Sequence, residues 1–167
     1  NLRFYVRRRA GQEWRRGVVF VKEIVPRAAI ARVARWCYSE NYVALPTRHA
    51  IETGSRLRVR YAWRYQGRWN ALTATAGGEP QPLTEGEEPQ FISEHYWGYS
   101  ARRDGGTTEY RVEHPSWKTW HATGIDVDAD VAGLYGEPFA EAMAERPTSA
   151  FIADGSAVTV YAGTRVA

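Results

Sequence analysis

RLRVRYAWRYQGRWNALTATA, residues 56–76, decides the fold class. Leu57, Val59, Tyr61, Trp63 and Tyr65 occupy alternate positions, and Arg56, Arg58, Arg60 and Arg64 stand between them. A period of two places these groups on opposite faces of a strand, one apolar and one basic. Gln66-Gly67 offers a two-residue turn, and RWNALTATA (68–76) returns as the hairpin partner.

The same signals recur outward from this hairpin. Upstream, LRFYVRR (2–8) alternates, AGQEW reads as a polar turn, and GVVFVKEIV (17–25) is a second strand. Pro26 ends that strand and opens a helix in PRAAIARVARWCYS. Ile30, Val33, Ala34 and Cys37 fall at i, i+3, i+4 and i+7, while Arg27, Arg32 and Arg35 take other faces, so the helix is amphipathic. ENYVALPTRHAIETG reads as irregular. Downstream of the hairpin comes a Gly-, Pro- and Glu-rich loop, then FISEHYWGYSARR (91–103), beginning as a short helix or directly as a strand. Asp104-Gly105-Gly106 turns it into TTEYRVEHP, and KTWHATGIDV (118–127) is a further strand. A helical region over 129–145 is broken at Gly136-Glu137-Pro138, and AFIADGSAVTVYAGTRV reads as a hairpin across Asp154-Gly155. Strands dominate, with two or three helices, which predicts an α+β fold whose mostly antiparallel sheet curls into a barrel.

Bulk properties narrow the class. The 167 residues suit one domain (1–167) with a real core. A net charge of +3 is too small to establish an anionic partner, and nucleic acid and membrane are not expected as partners. The single cysteine, Cys37, excludes an internal disulfide and fits a reducing, cytoplasmic location. No apolar run approaches the roughly 18 residues of a membrane span. NLRFYVRRRA is not a signal peptide. The chain opens inside a strand pattern at Asn1, which predicts a further segment upstream.

Four phrases, NLRFYV, GVVFVKEI with its helix ARVARWCYSENYVALP, FISEHYWGY and VEHPSW, resemble in this order the YqjF-like bacterial proteins of unknown function. That resemblance spans almost the whole chain. It implies a fold similar to acetoacetate decarboxylase, a mostly antiparallel barrel with outer helices and a central cavity, and a further N-terminal segment before the NLR phrase. It carries no function. The decarboxylases use a Schiff-base lysine in a Gly-Tyr-Pro-Lys-Lys type motif, and the corresponding segment near NYVALP has none.

Candidate residues follow from chemistry. Lys22 lies inside an apolar strand, where burial would free a nucleophilic amine. By strand phase it shares a face with Val18, Phe20 and Ile24, whereas Val19, Val21, Glu23 and Val25 take the other, so Glu23 cannot partner it directly. A strand-end lysine reaching water is the plainer reading. Arg58 and Arg60, on the basic face of the hairpin, would bind carboxylate or phosphate bidentately if that face lines a lumen, and would otherwise be solvated. Glu94, Tyr96, Tyr99 and His121 belong to an aromatic-rich region that either lines a small-molecule cavity or fills the barrel. Arg3, from the opening phrase, and Arg48, after the irregular loop, complete the expected ligand set. Catalytic residues are not assigned, and an enzyme, a lyase or hydrolase using Glu94 and a histidine, stands as the alternative. A structural or protein-interaction domain with a solid barrel is a further one. No cofactor or metal is expected. DVDADVAGLYGE (126–137) imitates a calcium loop, but Val131 stands where the sharp turn needs glycine, so Asp128 or Asp130 is read as a helix cap. Cys37, on the apolar helix face, is expected to be a core thiol. RRRAGQEWRR (7–16) is a basic turn that solvation explains as readily as phosphate binding.

Overall fold

The structure is a computed structural model and describes residues 1–166. In chain order its elements are β1 (Leu2–Ala10), β2 (Glu13–Val25), α1 (Ala28–Cys37), β3 (Tyr42–Ala44), β4 (Thr47–Glu52), β5 (Leu57–Tyr65), β6 (Arg68–Ala76), β7 (Gln81–Pro82), α2 (Glu88–Ser93), β8 (Trp97–Ala101), β9 (Thr107–Glu113), β10 (Lys118–Asp128), α3 (Val131–Tyr135), α4 (Glu137–Ala144), β11 (Phe151–Ala153), β12 (Thr159–Val160) and β13 (Thr164–Val166). The fold is α+β and its pairings are antiparallel except for β2 with β3 and β2 with β8. No helix among the described residues is long and apolar enough to cross a membrane. The chain divides into two units, residues 1–44, 91–115 and 156 onward, and residues 45–90 and 116–155.

In the first unit the sheet order is β1-β2-β8-β9-β12, with β13 also on β9 and β3 on β2. The polar stretch read as a broad turn is instead strand nearly to its tip. β1 and β2 pair through Arg7↔Arg16, Arg8↔Arg15 and Arg9↔Trp14 to Ala10↔Glu13. Two arginines directly opposite each other should repel. Here Glu109 of β9, only 5% exposed, accepts from Arg8 at 3.0 Å and from Arg15 at 2.6 Å, and takes Tyr99 Oη at 3.0 Å. One buried carboxylate thus bridges the like charges, and the bond to Tyr99 adds to burial in pushing that phenol up to about 12. Arg15 also lies 4.1 Å from the Trp97 ring.

Two glycines make room for aromatics in this sheet. A Cβ at Gly17 would strike the Tyr99 ring at 2.5 Å and the Trp97 carbonyl at 2.6 Å, and one at Gly98 would run into the ring of its cross-strand neighbour Tyr110.

In the second unit the order is β11-β10-β6-β5-β4, with β7 also on β10. The β5–β6 hairpin pairs from Leu57↔Ala76 to Tyr65↔Arg68, and Gln66 and Gly67 both take positive φ, 47° and 81°. Such a turn matches the twist of the strands. At one end the helices close on it: Tyr65 Oη donates to the Gly133 carbonyl at 2.8 Å, and the buried Asn70 accepts the Asp130 N–H at 2.7 Å. Along the rest of the apolar face Ile51, Tyr61, Leu72, Ile125 and Val127 remain exposed, and an open groove of about 470 Å³ runs over it. The helical break at Gly136 is present, and Asp130 is the cap, its carboxylate accepting the Gly133 N–H at 2.9 Å, while Asp128 pairs with Arg68. The hairpin read across Asp154-Gly155 does not form. β11 pairs with β10, and Asp154 is held by Lys118 through both its N–H and its carboxylate, so β12 leaves to join β9.

The glycine contacts predict that Gly98→Ala lowers stability by about 1–3 kcal/mol through overpacking against Tyr110. Glu109→Gln should cost about 2 kcal/mol by weakening hydrogen bonds to charged groups. Both are read as shifts in denaturation midpoint, and wild-type midpoints would contradict the packing described.

Candidate functional site

The sequence phase of GVVFVKEIV holds up to Phe20 and then changes. Arg3 pairs with Phe20 but Leu2 pairs with Lys22, so Val21 is one residue more on β2 than β1 can match. Such a bulge shifts the strand's alternation by one position. Val18 pairs with Gly98, and Gly98 with Tyr110, which fixes one face of the sheet. Beyond the bulge it is Glu23, not Lys22, that acts on Tyr110 of that face. Glu23 is also next to Tyr42, its partner on β3.

A second carboxylate arrives from α1. This helix buries Ala31 and Ala34, and leaves Ile30, Val33, Trp36 and Cys37 exposed. The expected apolar face is therefore rotated. What fixes the rotation is the turn that follows. Ser100 donates to the Tyr38 carbonyl, the Tyr38 ring meets Tyr110 edge-on at 5.4 Å, and the Tyr38 and Glu40 N–H groups both reach the Ala34 carbonyl. Ser39 sits between them in the left-handed region at φ 57°. Its reversal sends Glu40 inward, where it is 5% exposed and accepts from Tyr110 Oη at 2.6 Å. Cys37, expected in the core, lies on the open side of this rotated helix.

Electrostatics in the cluster follow from burial. Loss of water raises Glu40 to about 7, the Tyr110 bond opposes the rise, and the charge of Glu23 adds to it. Tyr110 and Tyr42 are both pushed far above the ordinary phenol range, first by burial and then by the two carboxylates. Oε1 of Glu23 is buried with no hydrogen-bond partner among the described residues, and Oε2 accepts from the Asn1 side chain at 3.3 Å. No ion pair reaches Glu40 among the described residues. Glu40, Tyr42 and Tyr110 were absent from the expected site, because nothing in a local pattern marks a glutamate after a helix as buried.

On the outer side of the same turn lies a cleft of about 570 Å³ lined by Arg32, Arg35, Trp36, Ser39, Arg102, Arg103 and Asp104. Asp104 is engaged by Arg102 at 2.9 and 3.0 Å and by Arg165 at 3.5 Å, and its hydrogen bond with Arg102 holds its carboxyl below the usual range. Arg32, Arg35 and Arg103 make no ion pair among the described residues, and Trp36 is 89% exposed.

The expected ligand residues divide between the two units. In the first, Arg3 donates to the Ile92 carbonyl at 2.8 Å, Tyr99 is committed to Glu109, Tyr96 lies 5.2 Å from the His114 ring, and Glu94 is half-buried after α2. In the second, Arg48, Arg58 and Arg60 share one sheet face through the pairs Arg48↔Ala62, Glu52↔Arg58 and Ala50↔Arg60. Arg58 is 3.4 Å from Glu52, and Arg48 lies 4.1 Å from the Trp69 ring. His121 opens onto a different pocket, of about 900 Å³, where Glu85 and Glu87 oppose binding of an anion. Lys22 is half-buried on β2, away from the carboxylate face.

The left-handed Ser39 gives a direct check. Ser39→Gly removes the Cβ that disfavours this conformation and should raise stability by about 0.5–1 kcal/mol, measured by chemical denaturation. A loss instead would mean that the turn does not adopt this backbone.

No curated protein and no solved structure matches the chain. A family model does, over residues 1–157, and its family is described as an uncharacterized conserved protein. With 157 of 167 positions spanned, the chain belongs to the DUF2071 family, in keeping with the YqjF-like resemblance of its four phrases.

Proposed function

We propose that this protein binds a small organic anion, and that the cleft beside α1 receives it. The observation that carries the reading is the convergence of three arginines without carboxylate partners among the described residues, Arg32, Arg35 and Arg103, around one exposed indole. Guanidinium groups pair with carboxylate or phosphate in a planar, two-pronged geometry. Trp36 offers a flat apolar surface on which a planar ligand body could lie. The Arg102–Asp104 pair braces the β8–β9 turn that carries Arg103. The same proposal includes the finer fold reading, one acetoacetate decarboxylase-like domain, which the antiparallel strands and outer helix support. The Arg48, Arg58 and Arg60 face is a weaker candidate, because Arg58 already has Glu52 beside it.

Catalysis by a Schiff base has no support in the cluster, since β2 turns Glu23 rather than Lys22 toward the tyrosines. An acid–base reaction would instead draw on Glu40, the one carboxyl here raised to about 7.

The test is a thermal-shift and calorimetric series with isophthalate, citrate, benzoate and inorganic phosphate. Isophthalate, planar and doubly charged, should bind best. Arg32→Ala and Arg103→Ala should each weaken it by about tenfold or more, as expected for one charged hydrogen-bonding partner. Binding of none of these anions at millimolar concentration, or binding indifferent to both substitutions, would reject the cleft.

A further inference from the structure

We infer that Glu40, with the charge of Glu23 near it, is a proton-binding site that latches the turn after α1 onto β9, closed while Glu40 holds its proton and loosened when the proton leaves. The geometry is that of a site built around a neutral carboxyl. Glu40 is 5% exposed and no ion pair reaches it among the described residues, while the Tyr110 hydroxyl, donating to it at 2.6 Å, favours the charged form less than burial opposes it. A carboxylate so placed has lost its hydration without gaining a cation, which favours the protonated form. Glu109, its opposite in this respect, is equally buried and holds two arginines.

The groups facing Glu40 come from every neighbouring element. β9 supplies Tyr110, β2 supplies Glu23, β3 supplies Tyr42, and Tyr38 lies against Tyr110 from the turn itself. The Asn1 side chain donates to Glu23 Oε2 at 3.3 Å. Of these, Glu23 raises Glu40 and Tyr110 lowers it, with burial as the larger cause.

The sign of the linkage is fixed. In the closed turn Glu40 titrates near 7, and once released into water it returns toward 4.5. The closed state then binds the proton more tightly, so closure is strongest below the released value and weakens as pH rises through the folded one. Local opening should rise by up to about tenfold per pH unit between about pH 5 and about pH 7, then level off. Because Ser39 and Trp36 line the cleft and Glu40 is the next residue after Ser39, loosening should also reduce anion binding; this part rests on the cleft reading above.

The experiment has two readouts on the full chain. Carbon NMR of glutamate-labelled protein follows the Glu40 carboxyl, and hydrogen exchange of a peptide covering residues 38–42, corrected for intrinsic rates, follows opening. In wild type the carboxyl should titrate near 7 and opening should follow it. Glu40→Gln, which keeps the neutral shape, should make opening independent of pH. Glu23→Gln should move the midpoint down and Tyr110→Phe should move it up, a pair of opposite shifts that mere loss of packing would not produce. A Glu40 carboxyl titrating in the ordinary range, or pH-dependent opening that survives Glu40→Gln, would overturn the latch. Isophthalate affinity measured across the same range separates the two proposals. Opening that follows Glu40, in a protein that binds isophthalate at no pH, would sink the cleft and leave the latch standing.

Discussion

Val21 is one residue too many for its place on β2, and the chemistry of the first unit depends on it. Without the bulge, strict alternation would carry Lys22 onto the face of Val18 and Tyr110, and Glu23 to the other side. With it, the acid arrives where the amine was expected. A strand has a period of two, so a single unpaired residue exchanges every side chain beyond it between faces. Bulges occur where a strand must redirect a side chain, and here the redirected group is a carboxylate brought next to Tyr42 and Tyr110.

β9 then shows two solutions to the same problem in consecutive residues. Burying a carboxylate is costly unless it is paired or neutralised. Glu109 faces one side of the sheet and is satisfied by Arg8, Arg15 and Tyr99. Tyr110 faces the other side and meets Glu40, which no cation reaches among the described residues. The first arrangement binds three strands by charge. The second has a carboxyl whose protonation changes near neutral pH, and so makes the turn after α1 the part of the unit where acidity is felt.

Much of the architecture was legible because period and turn chemistry are local. The β5–β6 hairpin, the helix after Pro26, the break at Gly136 and the cap at Asp130 all follow from residues within a few positions of one another. β4 was not legible: TRHAIE has no apolar alternation, and all six residues are exposed at the edge of their sheet. The extension of β1 and β2 through their arginines was hidden for another reason. What tolerates Arg8 opposite Arg15 lies about a hundred positions downstream, at Glu109.

The site was harder to read than the fold for the same physical reason, carried further. A histidine or an aromatic cluster advertises itself by type, as Tyr96 and His121 do. Glu40 differs from any solvated glutamate only in where the chain puts it, and three other features of the fold decide that. Ala31 and Ala34 let α1 approach closely, Ser39 accepts a left-handed backbone, and Gly98 leaves space for the ring that Glu40 meets. None of the three is ionisable, yet together they take a carboxylate out of water. The rotation that buries Glu40 also turns Trp36, Arg32 and Arg35 outward. Inner proton site and outer basic cleft are therefore two consequences of one helix orientation, so a substitution that changes how α1 seats on its alanines should disturb both together.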